Sequence, residues 1–126
     1  MHALSKYRPQ ILSILRIMAG LLVMQHGATK ILHFPASQMS GVSLTSLPGI
    51  AGIFELVCGA LVVVGFKTRI AAFLLSGVTA AAYFIAHWSG GFFPILNGGE
   101  LAALYAFVFL YIAAAGPGPI SIDARS

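Results

Sequence analysis

Charge is what this chain has least of. Only 8% of its 126 residues are Asp, Glu, Lys or Arg, against about 25% in a soluble domain. Three of those residues are acidic (Glu55, Glu100 and Asp123) and seven are Lys or Arg. So few charges cannot clothe a water-facing surface, which excludes a soluble globular domain. Cys58 is the single cysteine, so an intrachain disulfide, a CxxC redox pair and a Cys-based zinc site are excluded. No Lys/Arg-rich stretch tracks phosphates. The net charge of +4 is that of topogenic cations beside membrane helices, and nucleic acid is not an expected partner.

What fills the chain instead is apolar: 59% of the residues are hydrophobic. They fall into runs predicting helices over about 9–32, 48–66, 70–87 and 98–115, each long enough or nearly so to cross a bilayer. Pro9 suits a first helical turn, and Pro35 ends the first run. Residues 33–47 are a Ser/Gly/Thr-rich loop, Lys67-Thr68-Arg69 is a tight basic turn, and Gly90, Gly91, Pro94 and Gly98 mark a second loop. Gly116-Pro117-Gly118-Pro119 stops the fourth helix. The expected fold is all-α: an integral membrane four-helix bundle, read as one transmembrane domain over 1–126. Lys6, Arg8, Lys67, Arg69 and Arg125 fall on one side of such a bundle, and the opposite loops carry no Lys or Arg. The positive-inside rule then makes both termini cytoplasmic, in the inner membrane of a bacterium, with the lipid bilayer as the first partner.

Within the apolar runs the polar residues are few and informative, because each must face protein or a water-filled cavity. Glu55 sits between Gly52 and Gly59 on one helical face, and small residues there let another helix approach. His26 and Lys30 lie near the outer end of the first helix, His87 ends the third, and Asn97 and Glu100 begin the fourth. Tyr83 shares a face with Ser76, Thr79 and His87. The deep charges balance two against two, which predicts that Arg16 reaches Glu55 while Lys30 lies near Glu100. Asn97 and Glu100 also fit a capping box. The candidate ligand-binding cluster is therefore Arg16, His26, Lys30, Glu55, Tyr83, His87, Asn97 and Glu100. Tyr7, Tyr105 and Tyr111 read as interfacial or packing aromatics, and Trp88 as a boundary residue.

The order and spacing of these pieces resemble the DoxX family of small four-helix membrane proteins. Leu15-Arg16, His26-Gly27 and Lys30 are similar to its first-helix pattern. Leu47-Pro48-Gly49 with Glu55, Gly59 and Gly65 is similar to its second, and Thr68-Arg69 to the turn that follows. His87-Trp88, Gly91-Phe92-Phe93 and Asn97-Gly98-Gly99-Glu100 resemble its second outer loop, and Gly116-Pro117-Gly118 with Ser121-Ile122-Asp123 its ending. One departure is local: many members of the family carry a Tyr between the glycine pair and the Glu, whereas here Glu100 follows Gly99 directly.

The resemblance implies a subunit associated with redox complexes, since the family takes its name from a subunit of thiosulfate:quinone oxidoreductase. In that reading the polar cluster binds a quinone or similar apolar ring. His26, His87, Lys30 or Tyr83 donate to the ring carbonyls, Glu55 or Glu100 relay protons, and Phe84, Trp88, Phe92 and Phe93 line the pocket. Two histidines at similar depth are too little to make haem the expected cofactor, and no metal is expected. The alternative is a non-catalytic anchor or scaffold for a partner oxidoreductase, or a small-solute carrier. Other membrane subunits or further copies of the chain stay open as partners.

Overall fold

The computed structural model describes residues 2–125. After a one-turn helix at His2–Ser5, helix α1 runs Arg8–Ile31, α2 Leu47–Val64 and α3 Thr68–Ala82. The third continues through a π-helical turn, Tyr83–His87, and a 3-10 turn, Trp88–Gly90. A one-turn helix at Pro94–Asn97 precedes α4, Glu100–Ala115, and a 3-10 turn at Asp123–Arg125 follows it. Three helical stretches are long and apolar enough to span a bilayer, namely Arg8–Ile31, Leu47–Val64 and Thr68–Gly90, while Glu100–Ala115 is apolar and shorter. The outward residues are large and apolar, among them Ile14, Met18, Val57, Ile70, Phe73 and Phe107, as a lipid-facing surface requires. The chain is a helical membrane bundle.

Two helical hairpins make the bundle. In the first, α1 packs along α2 at backbone contact distance. A Cβ placed on Gly27 would lie 2.6 Å from the Leu56 nitrogen and 2.7 Å from the Gly52 carbonyl oxygen, so only glycine permits this approach. In the second, α3 packs along α4, and the Ser76 hydroxyl donates across the seam to the Ala106 carbonyl at 2.7 Å. The hairpins meet through α2 and α3, whereas α1 and α4 barely touch. Their shared core is built from Val23, Val62, Leu75, Phe109 and Ile112, with Cys58 among them.

One end of the bundle gathers both termini and the α2–α3 turn, and a network closes it. Helix α2 stops at Val64 because Gly65 turns left-handed (φ 73°), and the Gly65 and Phe66 amides donate back to the Leu61 carbonyl at 2.9 and 3.0 Å. The C-terminal tail then lies across α1, α2 and α3. Arg16 is fully buried. It donates to the carbonyls of Pro117, of Ile120 at 2.7 Å and of Val63 at 3.3 Å. Ser13 donates to the Pro117 carbonyl and accepts from the Ile120 amide, both at 3.1 Å. Asp123 caps α3 by accepting from the Lys67 and Thr68 amides, each at 2.9 Å. The Arg69 guanidinium donates to the Ala113 and Ala114 carbonyls at the end of α4. We call this the tail end and the opposite one the loop end.

The expected pairing of Arg16 with Glu55 is therefore incorrect. Arg16 lies roughly 21 Å below Lys30 along α1, at about 1.5 Å per residue, and Lys30 is the residue that meets Glu55. No arginine side chain spans that gap. A guanidinium offers five donors in a planar fork, and the proline-rich tail supplies carbonyls that no helix satisfies.

Candidate functional site

At the loop end the two hairpins separate and leave a cavity of about 600 Å³. All four helices contribute wall: His26 and Lys30 from α1, Ala51, Phe54 and Glu55 from α2, Val78, Thr79 and Ala82 from α3, and Leu101 and Tyr105 from α4. Ile85 and His87 add the π turn beyond α3. That turn widens the helix at the cavity rim, as single π turns do near functional sites.

The charges meet here. Lys30 Nζ donates to Glu55 Oε1 at 2.9 Å, with the two side chains 12% and 11% exposed. The pair forms because α1 ends and α2 begins at this depth, and the close glycine contacts around Gly27 and Gly52 bring the two backbones together. Above it the loop is tied down. The Thr29 hydroxyl bonds the Pro35 carbonyl and lies 2.6 Å from the Ser37 hydroxyl, and the Ser40 hydroxyl donates to the Thr29 carbonyl at 2.9 Å.

His26 projects beside the pair and meets Tyr105 edge to face, with ring centroids 6.3 Å apart at 86°. Tyr105 is only 6% exposed and stacks on Phe109 at 5.8 Å. Its hydroxyl has no hydrogen-bond partner, yet the residue lines the cavity.

The eight residues singled out from the sequence separate into four groups. His26, Lys30, Glu55 and His87 line the cavity. Tyr83 and Asn97, with His87, form a polar knot beside it: Asn97 Nδ2 donates to the Tyr83 hydroxyl at 3.1 Å and to the Gly91 carbonyl at 3.0 Å. His87 Nδ1 lies 3.1 Å from the Asn97 carbonyl. Arg16 belongs to the tail end. Glu100 is exposed and faces a shallow apolar groove with Phe93, Leu104 and Phe107.

Two local expectations fail with that grouping. Lys30 is not near Glu100 but bonded to Glu55. Asn97 and Glu100 form no capping box, because Glu100 is the first residue of α4 and the Asn97 side chain accepts instead from the Gly99 amide at 2.8 Å. The aromatics expected in the pocket also lie elsewhere. Phe84, Trp88 and Phe92 pack in series on the outside in tilted and edge-to-face contacts, with centroids 5.6 and 5.9 Å apart, and Phe93 turns to the groove. These rings are an aromatic belt of the kind found at a membrane–water interface. Tyr105 is the residue that sequence reasoning missed. Its place five residues into α4, near the depth of His26 in an antiparallel bundle, was the signal available.

A family model described as DoxX matches residues 11–88, more than half of the chain. The chain belongs to the DoxX family. The matched segment carries α1 to Trp88, and so all of the cavity's polar residues except Tyr105. An uncharacterized protein of Haemophilus influenzae is 44% identical to this DoxX chain over 128 residues, covering 98% of the chain and 96% of that protein. No solved structure matches it.

Chemically, the cavity of this DoxX protein has apolar walls and a small convergent set of polar groups. Sites of about 300–1,000 Å³ with that balance suit small organic ligands. Two imidazoles, a phenol and an ion pair supply donors, acceptors and exchangeable protons within one space. Among the described residues no group of three His, Cys, Asp or Glu side chains is arranged to hold a metal ion.

Proposed function

We propose that this DoxX protein is a redox-associated membrane subunit that binds a quinone, or an apolar ring of similar shape, in the loop-end cavity. One observation carries the reading. A cavity of about 600 Å³, walled by Phe54, Ile85, Leu101 and small side chains, brings His26, Lys30, Glu55 and Tyr105 to the same space. A ring with polar oxygens needs that combination, and a purely structural bundle does not need the space. The distribution of cations supports a cytoplasmic tail end, because Lys6, Arg8, Lys67, Arg69 and Arg125 flank it. The cavity then lies in the outer half of a bacterial inner membrane.

The test is the lipid-soluble content of the protein itself. Taken from its membrane in native lipid discs and extracted with organic solvent, the protein should release near-stoichiometric quinone, well above the quinone-to-lipid ratio of the surrounding membrane. Glu55→Gln should lower that yield. A quinone content no higher than the bulk ratio overturns the reading. It would leave an anchor or scaffold for a partner oxidoreductase as the function, with the copurifying proteins as its signature.

A further inference from the structure

The Tyr105 hydroxyl is a polar group that the fold leaves unanswered. The residue is only 6% exposed, and its oxygen has no hydrogen-bond partner. Packing does not explain the oxygen. A phenylalanine would stack on Phe109 and meet the His26 edge in the same way, without burying an unpaired hydroxyl, which is unfavourable. What distinguishes this position is that Tyr105 lines the loop-end cavity.

The charges of the cavity narrow what the hydroxyl can meet. Lys30 is the only Lys or Arg in the wall, and its ammonium is bonded to Glu55 at 2.9 Å. An anionic ligand would have to break that pair and then face the freed carboxylate. A neutral ligand with an acceptor oxygen leaves the pair intact. It offers the phenol the one bond that it lacks, while the rest of the ligand lies on apolar wall.

Resting on the quinone reading above, we propose that Tyr105 is the hydrogen-bond donor that reads a carbonyl oxygen of the bound ring. The site thereby selects a neutral, carbonyl-bearing ring over the same ring without oxygens.

Duroquinone and durene share one methylated ring and differ in the carbonyls, so they isolate this bond. Binding of each is measured to the full chain in nanodiscs and corrected for partition into empty nanodiscs. The parent should bind duroquinone roughly tenfold more tightly than durene. Tyr105→Phe should weaken duroquinone roughly tenfold, leave durene unchanged, and melt at the parent temperature or above. If Tyr105→Phe binds duroquinone as the parent does, the assignment is overturned and the quinone reading stands. If it melts lower and loses both rings equally, the hydroxyl is structural and the assignment is again overturned. If the parent binds neither ring, or both equally, the quinone reading falls and the assignment falls with it.

Discussion

At the tail end, Arg16 is fully buried, and its guanidinium meets carbonyls from α2 and from two points on the C-terminal segment. At the loop end, Lys30 and Glu55 bond each other, stay about a tenth exposed, and border a cavity with an unpartnered phenol. Both ends bury a cation, but they solve its desolvation differently. The tail end uses neutral backbone acceptors, which need no second buried charge and tie three chain segments to one side chain. The loop end uses a counter-ion, which neutralises the charge and leaves the space beside it open. The tail end also leaves buried atoms unanswered, the Arg16 Nε and the Thr68 hydroxyl oxygen, so what sets the loop end apart is that its unpartnered phenol belongs to a residue bordering open space. The two hairpins are thus clasped at one end and parted at the other.

The strongest way to break this contrast is to remove the clasp. Arg16→Met should destabilise the bundle by about 4 kcal/mol, because several buried carbonyls lose their donor at about 1–3 kcal/mol each. Arg16→Lys should recover little, since one ammonium cannot reproduce a planar fork. Thermal or SDS-induced unfolding in detergent measures both. An Arg16→Met protein as stable as the parent would mean that the tail is held by its apolar contacts alone.

Next in size is the pair at the loop end. Lys30→Met leaves the Glu55 carboxylate buried without its counter-ion and should cost about 3 kcal/mol. The double change with Glu55→Gln should return much of that loss, a coupling that a double-mutant cycle reads directly. No such rescue is available to Arg16, whose hydrogen-bond partners are backbone carbonyls. If the double variant regains stability but not quinone content, the pair serves the ligand. If it regains both, the pair is a structural tie.

These two cations also show where a sequence stops being legible. The four apolar runs announce the helices because hydrophobic length is a local property, and the third was visible over about 70–87 for that reason, whereas its continuation to Gly90 falls where glycines had marked a loop. Glu55 was recognisable as a buried carboxylate flanked by Gly52 and Gly59, and its closeness to α1 followed. Its partner was not, because charges can be paired on paper only with other charges. The carbonyls that hold Arg16 come from Pro117, Ile120 and Val63, and no residue code marks a carbonyl as unpaired. Depth along antiparallel helices separates the cations: at about 1.5 Å per residue, Lys30 reaches the level of Glu55 and Arg16 does not. Tyr105 was hidden for the opposite reason. An aromatic in an apolar helix is usually packing, and only the three-dimensional wall shows that this one lines a cavity.

A smaller effect tests the tail end by pH. The Asp123 carboxyl is held below the ordinary carboxylate value of 3.8, chiefly by the Thr68 amide and less by the Thr68 side chain, the Lys67 amide and Arg16, with desolvation opposing. A folded-state value below the unfolded one means that its contribution is complete above the ordinary value and is lost as pH falls through the folded value. Acid should therefore loosen the tail end, seen as lower protection from hydrogen exchange, relative to the intrinsic rate at each pH, at the Lys67 and Thr68 amides. Asp123→Asn should make that protection flat with pH over the same range. Asp123→Ala should cost about 1 kcal/mol through the lost cap. Protection that falls equally at the loop end would show that acid acts on the bundle as a whole.

The finest comparison sets one hydroxyl against another. Ser13 at the tail end is fully buried and makes two bonds, to the Pro117 carbonyl and from the Ile120 amide. Ser13→Ala leaves both partners unanswered and should cost about 1 kcal/mol. Tyr105 at the loop end is nearly as buried and makes none, so Tyr105→Phe should cost about nothing or stabilise slightly. Each change deletes a single oxygen, leaves side-chain volume almost unaltered, and is read by the same unfolding measurement. Equal losses at the two sites would mean that the tyrosine oxygen is as much a part of the folded network as the serine's, and the loop end would then be as closed as the tail. A loss at Ser13 with none at Tyr105 would leave the phenol with no role in holding the bundle together, which is the condition under which a ligand becomes its natural partner.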